Sequence, residues 1–446
     1  MGDRASNEKA SNVILDKWRI EVLTACNSSA AVKTLHLFHC MAHVLLGFHT
    51  YTHKSILAYE KELEIKLGRF GRDALPRFSY WKKEEAASRT SRTTADTFGP
   101  AGDHIGVRDL WECYCASKGI KSQIGNYRDN RFNCYFETAA QICLHREDFI
   151  NVLKKVKKPN GKLVSVLADL TCPVVTTILQ ARGLLFVLVT GPYWELMLVN
   201  DGTVKYLELF RYIQPLHHFM KECSDDPSPL LQGISPLPKE LLHASDAMYN
   251  SVSLLAHATM EDVFLNTLKK SSAAFVQTSE AQLKDFLVDG KYGQAPDTVE
   301  LNRTCFSGIT NLACEHHFGD LDSSQRRRPS ATLFFHSTIQ LLKRNRKQLI
   351  SWMSEMSEQG RETLWSDARE KAKALRREKE EMEKILKNLQ EEPKSEPKEG
   401  RKRKVTDAAA SRKKRGKPAA VNSDSSEEDL TSEVVKLILM KMSHQV

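Results

Sequence analysis

Residues 311–339, NLACEHHFGDLDSSQRRRPSATLFFHSTI, are the stretch around which the chain is organised. Their apolar side chains recur at helical spacing up to Arg328 and again after Pro329. Because proline cannot continue a regular helix, we predict two helices with a turn at this point. Glu315 is an acid in the apolar part of the first helix, which makes it a candidate functional residue.

Two shorter patterns stand far upstream. Asp3 lies at the amino end, in GDRAS. Residues 35–48, LHLFHCMAHVLLGF, contain Cys40 and His43 three positions apart in an apolar run. Residues three apart share one face of a helix, so we expect both side chains to project from the same face.

Cys40 and His43 also raise the question of a zinc site. Such a site needs two further ligands, and four histidines are close in sequence. They are His36, His39, His49 and His53. No second C-x-x-C or H-x-x-x-H pair follows, so we favour packed helix residues that make hydrogen bonds.

A third pattern lies in residues 127–145, YRDNRFNCYFETAAQICLH. Its apolar side chains predict an amphipathic helix, and the pair Arg131-Phe132 stands at its start. An aromatic residue at a helix start most often belongs to the core. We therefore favour core packing for Phe132 over a role in binding.

Taken in this order, the patterns resemble the catalytic domain of the hobo/Activator-type (hAT) DDE transposases, over residues 3–352. In that family an aspartate shortly precedes a C-x-x-H helix, and the last glutamate begins a helix in an E-x-x-F setting. The resemblance implies that Asp3 and Glu315 are catalytic carboxylates. It also implies that Cys40 and His43 are architectural, and that Mg²⁺ or Mn²⁺ binds where the acid triad is intact.

The resemblance also covers the Arg131-Phe132 pair. In the family an Arg-Trp pair opens the helical insertion, and its aromatic ring packs against an unstacked base. Phe replaces Trp in this chain. A phenyl ring can still stack on a base, a contact worth about 1–3 kcal/mol.

The resemblance implies a domain order in which the family's first aspartate and first strands are missing. We expect a mainly α fold with a remnant of an α/β RNase H-like core, a large helical insertion domain and a disordered basic tail. The expected boundaries are 1–60 for the partial RNase H-like core with its C-x-x-H helix, 61–300 for the insertion, 301–355 for the last RNase H-like helices, 356–392 for a charged helix and 393–446 for a basic, then acidic, disordered tail.

Local patterns give further expectations. Residues 77–106 are poor in large apolar side chains and predict a surface loop, and residues 194–210 predict a β-hairpin around Asn200-Asp201-Gly202. Gly191-Pro192 predicts a turn just before it. No apolar run, including residues 183–190, reaches the roughly 20 residues that cross a bilayer, so no membrane is expected as a partner.

Composition is that of an intracellular, globular chain. Of 446 residues, 41% are hydrophobic, which is enough for a sizeable core. Ten cysteines at irregular spacing, with no secretory signal, are expected to stay reduced. The net charge is +9 and the pI is about 8.9, which favours an acidic partner such as nucleic acid.

Basic residues cluster in two regions. The first cluster follows residues 311–339 and consists of Lys343, Arg344, Arg346 and Lys347. Two interpretations stay open: these side chains contact phosphates, or they form the solvated end of a helix. The second region, residues 401–417, resembles a bipartite nuclear-import signal and predicts a nuclear protein. Its two groups are Arg401, Lys402, Arg403 and Lys404, and then Arg412, Lys413, Lys414 and Arg415.

Between these regions, apolar residues follow a heptad spacing that suits a short coiled coil. The seam consists of Ala368, Ala372, Leu375, Lys379, Met382, Leu386 and Leu389. Self-association and a single solvated helix both stay open.

Three functions follow from these observations. The first is a transposase-derived nuclear protein that binds DNA with weak sequence preference and, because the DDE triad is incomplete, needs no cofactor and does not cleave. The second is an active metal-dependent recombinase whose beginning is missing from the sequence as given. The third is a nuclear assembly protein, a homo-oligomer built through the helical insertion and residues 368–389.

Overall fold

The computed structural model describes residues 6–26, 36–78, 80–81, 84–102, 106–128, 132–198, 204–253, 260–331 and 333–391. Within these ranges the fold is mainly α-helical and contains no β-strand, which confirms the expected mainly α class. Its α-helices are α1 Ser6–Ala25, α2 Val44–Leu67, α3 Ala86–Phe98, α4 Val107–Lys118, α5 Cys134–Lys154, α6 Gly161–Leu170, α7 Pro173–Leu185, α8 Gly191–Leu198, α9 Phe210–Asp225, α10 Ser228–Leu231, α11 Asp246–Ser253, α12 Glu261–Gln282, α13 Thr298–Arg303, α14 Leu312–Arg327, α15 Leu333–Arg344, α16 Arg346–Ser354 and α17 Glu358–Glu391.

The chain divides into two compact units, Met1–Lys347 and Gln348–Val446. In the first unit α2, α5, α7 and α12 are the central helices, and α3, α4, α6, α9 and α11 pack around them. In the second unit, α17 is 34 residues long and its described side chains are mostly exposed. The helix agrees with the sequence expectation, and self-association through it stays a prediction.

Aromatic side chains fill two apolar clusters of the first unit. In one, Phe48 of α2 stacks on Phe275 of α12, with ring centroids 4.2 Å apart. In the other, Trp111 of α4 packs on Phe149 of α5 at 4.7 Å. All four side chains are fully buried, and burial of each stabilises the fold by about 1.5–3 kcal/mol.

One long apolar helix, Pro173–Leu198, passes through the core and contains α7, a π-helical turn at Phe186–Thr190 and α8. The predicted chain turn at Pro192 is wrong. Proline has no N–H to give to the carbonyl of Leu188, and the wider π turn absorbs its ring without ending the helix. The Ser235 hydroxyl donates to that carbonyl instead, at 2.7 Å.

The same helix corrects the expectation that no segment is long enough to cross a bilayer. By length and composition alone, Pro173–Leu198 passes that test. However, 89% of its most apolar part is buried among the other helices of this fold. We therefore describe it as a core helix.

Two local predictions from the sequence are wrong. Residues 77–106 contain α3, whose buried face, apart from Arg89 and Phe98, is made of small side chains such as Ala87 and Thr94. Residues 194–210 form no hairpin where they are described, because α8 runs to Leu198 and a 3₁₀ turn at Tyr206–Glu208 leads into α9. The predicted Asn200-Asp201-Gly202 turn lies outside the described residues.

The two helices predicted in residues 311–339 are present as α14 and α15. They pack antiparallel. His336 Nδ1 lies 2.8 Å from the Ser324 hydroxyl in a buried hydrogen bond. Nearer the other end, the Gln340 side chain donates to the Asp320 carbonyl at 3.1 Å. We call these two helices, together with the three residues 345–347 that follow them, the α14–α15 hairpin.

Candidate functional site

The Cys40-His43 pair does not lie on one helix, contrary to the sequence prediction. Cys40 has extended backbone and precedes a 3₁₀ turn at Met41–His43, and α2 begins only at Val44. Contacts with distant parts of the chain hold this turn. The Tyr193 hydroxyl donates to the carbonyl of Met41 at 3.0 Å. The Met41 N–H donates to the carbonyl of Ile309, also at 3.0 Å.

The structure brings Cys40 close to the start of α14, where Glu315 lies in the first turn. The Asn311 N–H donates to the Cys40 sulfur at 3.4 Å. Burial raises the pKa of the Cys40 thiol, and the negative charge of Glu315 raises it further. Zinc takes the thiolate form of cysteine, which burial and the charge of Glu315 disfavour at Cys40.

The carboxylates assigned by resemblance are described only in part. Glu315 is half-buried, whereas Asp3 lies outside the described residues. Among the residues that are described, no group of three or more His, Cys, Asp or Glu side chains is placed to hold a metal ion. The structure therefore describes Glu315 but not Asp3, the other carboxylate that the resemblance assigns.

Phe132 connects the third sequence pattern with the first two. Its ring meets His43 edge-on at 5.0 Å and stacks on Trp194 at 5.8 Å. The side chain is half-buried against the core. Trp194 therefore covers one face of the ring that the resemblance would offer to a base, and Arg131 lies outside the described residues.

A cavity of about 630 Å³ adjoins the Met41–His43 turn. It lies between the first turns of α2 and the end of α12, and its polar lining is of mixed charge, with Lys284 beside Asp285. Gly47 permits the close approach of the two helices, since a Cβ there would lie 2.5 Å from Gln282 Nε2. The mixed lining gives this cavity no clear preference for the charge of a ligand.

Basic side chains are exposed at both ends of the α14–α15 hairpin. At one end lie Lys343, Arg344, Arg346 and Lys347, and at the other lie residues 326–328, all arginine. α15 has 12 residues, so the two ends are about 18 Å apart. Residues 312–347 contain seven lysines and arginines against three acids, a net charge of +4. The hairpin thus carries a large share of the excess positive charge of the chain.

Part of this charge is already paired. Arg326 bonds to Asp322 at 2.8 Å, and Arg344 lies 3.6 Å from Asp320. Pairs as exposed as these are worth about 0–1 kcal/mol, so they can be exchanged for a phosphate at little cost.

The sequence patterns missed a buried ionic network in the same unit. Arg89 of α3 donates two hydrogen bonds to Asp169 of α6, at 3.0 and 2.8 Å, and both side chains are fully buried. Asp169 also accepts from the backbone N–H of Arg72 at 2.7 Å. Gly71 has a φ of +58°, and a Cβ there would lie 2.4 Å from an Asp169 oxygen, so this turn needs glycine.

A second part of the network joins α2, α3, α5 and α7. Arg182 pairs with Glu85, and both are fully buried. The Tyr135 hydroxyl donates to Glu85 at 3.1 Å, and the Arg182 guanidinium lies over the Tyr135 ring at 4.0 Å. Burial lowers the pKa of Arg182 to about 9, against the charge of Glu60, so this arginine is still protonated at neutral pH.

Glu60 lies close to this pair. Burial raises its pKa to about 7, although the Ala86 N–H donates to both carboxylate oxygens and two arginines oppose the shift. One sequence signal could have indicated the network. Arg182 is a lone arginine in the apolar run of α7, and a charge in such a run must find a buried partner.

No protein-family model, no curated protein and no solved structure matches this chain. Function is therefore inferred from its own residues. The nuclear-import pattern at residues 401–417 lies outside the described residues.

Proposed function

We propose that this chain is a transposase-derived nuclear protein that binds nucleic acid on the α14–α15 hairpin and does not cleave it. The observation that carries the proposal is the position of Arg346 and Lys347. They are the first two residues of α16 and are exposed. The positive end of the helix dipole disfavours cations there, so helix stability does not account for them.

Lys343 and Arg344 differ in this respect, because they end α15, where the helix dipole favours cations. A solvated helix end would explain these two alone. Together with Arg346 and Lys347, they form a cationic corner where α15 ends and α16 begins. Each cation that neutralises a phosphate of a duplex releases counterions, which favours binding of any sequence.

The family assignment is part of the same proposal. The closeness of Glu315 to Cys40 supports it, because the family places its last glutamate and its C-x-x-H pair beside one active site. A remnant of an RNase H-like core belongs to this proposal as well. The sequence matches two of the family's three carboxylates, and a two-metal site short of one carboxylate holds its ions weakly.

Binding of a fluorescein-labelled duplex, measured by anisotropy at low salt, tests the proposal. Arg346→Ala/Lys347→Ala should weaken binding about tenfold, since two phosphates are then no longer neutralised. A matched control, Lys118→Ala/Lys221→Ala, removes the same charge from exposed positions on α4 and α9 and should change affinity less than twofold. An equal weakening in the two variants would overturn the assignment of the hairpin.

A further inference from the structure

A second basic region lies far in sequence from the hairpin. A cavity of about 380 Å³ opens between the 3₁₀ turn Gly71–Ala74, α3 and the first turn of α6. Its charged lining is cationic in excess, with Arg72, Arg92 and Lys162 against Glu84. Binding sites for small molecules occupy about 300–1,000 Å³, so the cavity is large enough for one.

Two buried polar groups of the lining lack partners among the described residues. Arg72 is 3% exposed, and its Nη2 makes no hydrogen bond within the described ranges. Ser165 is 4% exposed, and the same holds for its hydroxyl. Buried donors without partners are rare because each costs about 1–3 kcal/mol. Two such donors on one cavity wall are available to an acceptor that enters the cavity.

The charge of the cavity selects an anion. Arg72 is the innermost cation; its Nε donates to Asp73 at 3.0 Å, and its Nη1 lies 3.6 Å from Glu84. The carboxylate of Glu84 also pairs with Arg92 at 2.7 Å. Glu84 thus bridges two guanidinium groups, the arrangement that a bound phosphate would adopt. The positive end of the α6 dipole, at Lys162, adds to the attraction.

The mouth of the cavity offers an aromatic surface. Trp81 is 58% exposed, and its ring centroid lies 5.4 Å from the Arg72 guanidinium. An exposed indole beside a cationic floor can stack a flat ring while the cations hold a charged group. A ligand with both parts fills the cavity better than a lone anion.

We propose that this cavity binds a phosphorylated small molecule with an aromatic ring, of which a nucleoside monophosphate is the simplest example. The phosphate displaces Glu84 and is held by Arg72, Arg92 and Lys162, and the Ser165 hydroxyl donates to it. The ring lies on Trp81. None of these residues belongs to the α14–α15 hairpin, so the site is independent of the proposed function.

Isothermal titration calorimetry of the full chain with adenosine monophosphate, adenosine and inorganic phosphate tests this site. Adenosine monophosphate should bind saturably, and adenosine at least tenfold more weakly. Arg92→Ala and Lys162→Ala should each weaken binding about tenfold, because each removes a charged hydrogen bond. The control Lys221→Ala on α9 should leave it unchanged. These positions are not core residues, so the folded state is retained.

Two further variants separate the parts of the ligand. Trp81→Ala should weaken binding of the monophosphate but not of inorganic phosphate, and Glu84→Gln should tighten both by removing the competing carboxylate. The proposal is overturned if adenosine monophosphate does not bind at millimolar concentration, or if adenosine binds as tightly. Binding of a 5′-phosphorylated oligonucleotide without binding of the monophosphate would also overturn it.

Discussion

Replacement of Asp169 by alanine should destabilise the first unit more than removal of any exposed charge. The side chain accepts two hydrogen bonds from Arg89 and one from the Arg72 backbone, and it is fully buried. Without it, the Arg89 guanidinium stays buried with Asp73 as its remaining carboxylate, at 3.1 Å. Removing one partner of a buried ion pair costs about 3–5 kcal/mol, because the other charge loses most of its compensation.

Urea unfolding followed by circular dichroism measures this cost as a lower midpoint. The exposed pair of Asp322 and Arg326 provides the control, and Asp322→Ala should cost less than about 1 kcal/mol. Combining Asp169→Ala with Arg89→Met should recover part of the stability, since no isolated charge then remains. If Asp169→Ala costs no more than the control, or if the double variant shows no coupling, the pair does not hold the helices together.

Three further predictions concern pH, chemistry and location. Because the folded-state pKa of Glu60 is raised from 4.5 to about 7, its contribution to stability is complete below pH 4.5 and is lost as the pH rises through 7. Glu60→Gln should remove up to about 3 kcal/mol of this pH dependence of the unfolding free energy. Urea midpoints of both proteins at pH 5 and pH 8 measure the difference. The chain should not nick labelled transposon-end DNA with Mg²⁺ or Mn²⁺, and metal-dependent nicking that disappears in Glu315→Gln would show an active enzyme instead. A fluorescent fusion should accumulate in the nucleus and move to the cytosol when Lys413, Lys414 and Arg415 are neutralised; continued nuclear accumulation would exclude that signal.

Large apolar side chains at helical spacing made several helices predictable from the sequence. α5 and the hairpin of α14 and α15 are examples, and Pro329 predicted the break between the last two. The same approach failed for α3, because its buried face, apart from Arg89 and Phe98, consists of small and hydroxyl side chains. Thr90 Oγ1, for instance, donates to the Ala86 carbonyl within the helix and so can be buried there.

The remaining errors have tertiary causes. Pro192 did not end its helix. The π turn makes room for its ring, and the Ser235 hydroxyl donates to the Leu188 carbonyl, which has no donor from the proline nitrogen. Arg89 and Asp169 are 80 positions apart, so no local pattern indicates their pairing. Cys40 lies outside the predicted helix, because its sulfur and the turn after it form hydrogen bonds with residues 309–311. These residues are far from Cys40 in sequence, so no local pattern indicates the contact.

The number of phosphates that the α14–α15 hairpin holds can be read from the salt dependence of duplex binding. The logarithm of the affinity should fall linearly with the logarithm of salt concentration. Replacement of all four cations of the corner, Lys343, Arg344, Arg346 and Lys347, by alanine should reduce the slope by about 0.9 for each phosphate that is no longer neutralised, up to about 3.6. A slope unchanged by the four substitutions, or no binding by the unaltered chain at low salt, would contradict nucleic-acid binding at this hairpin.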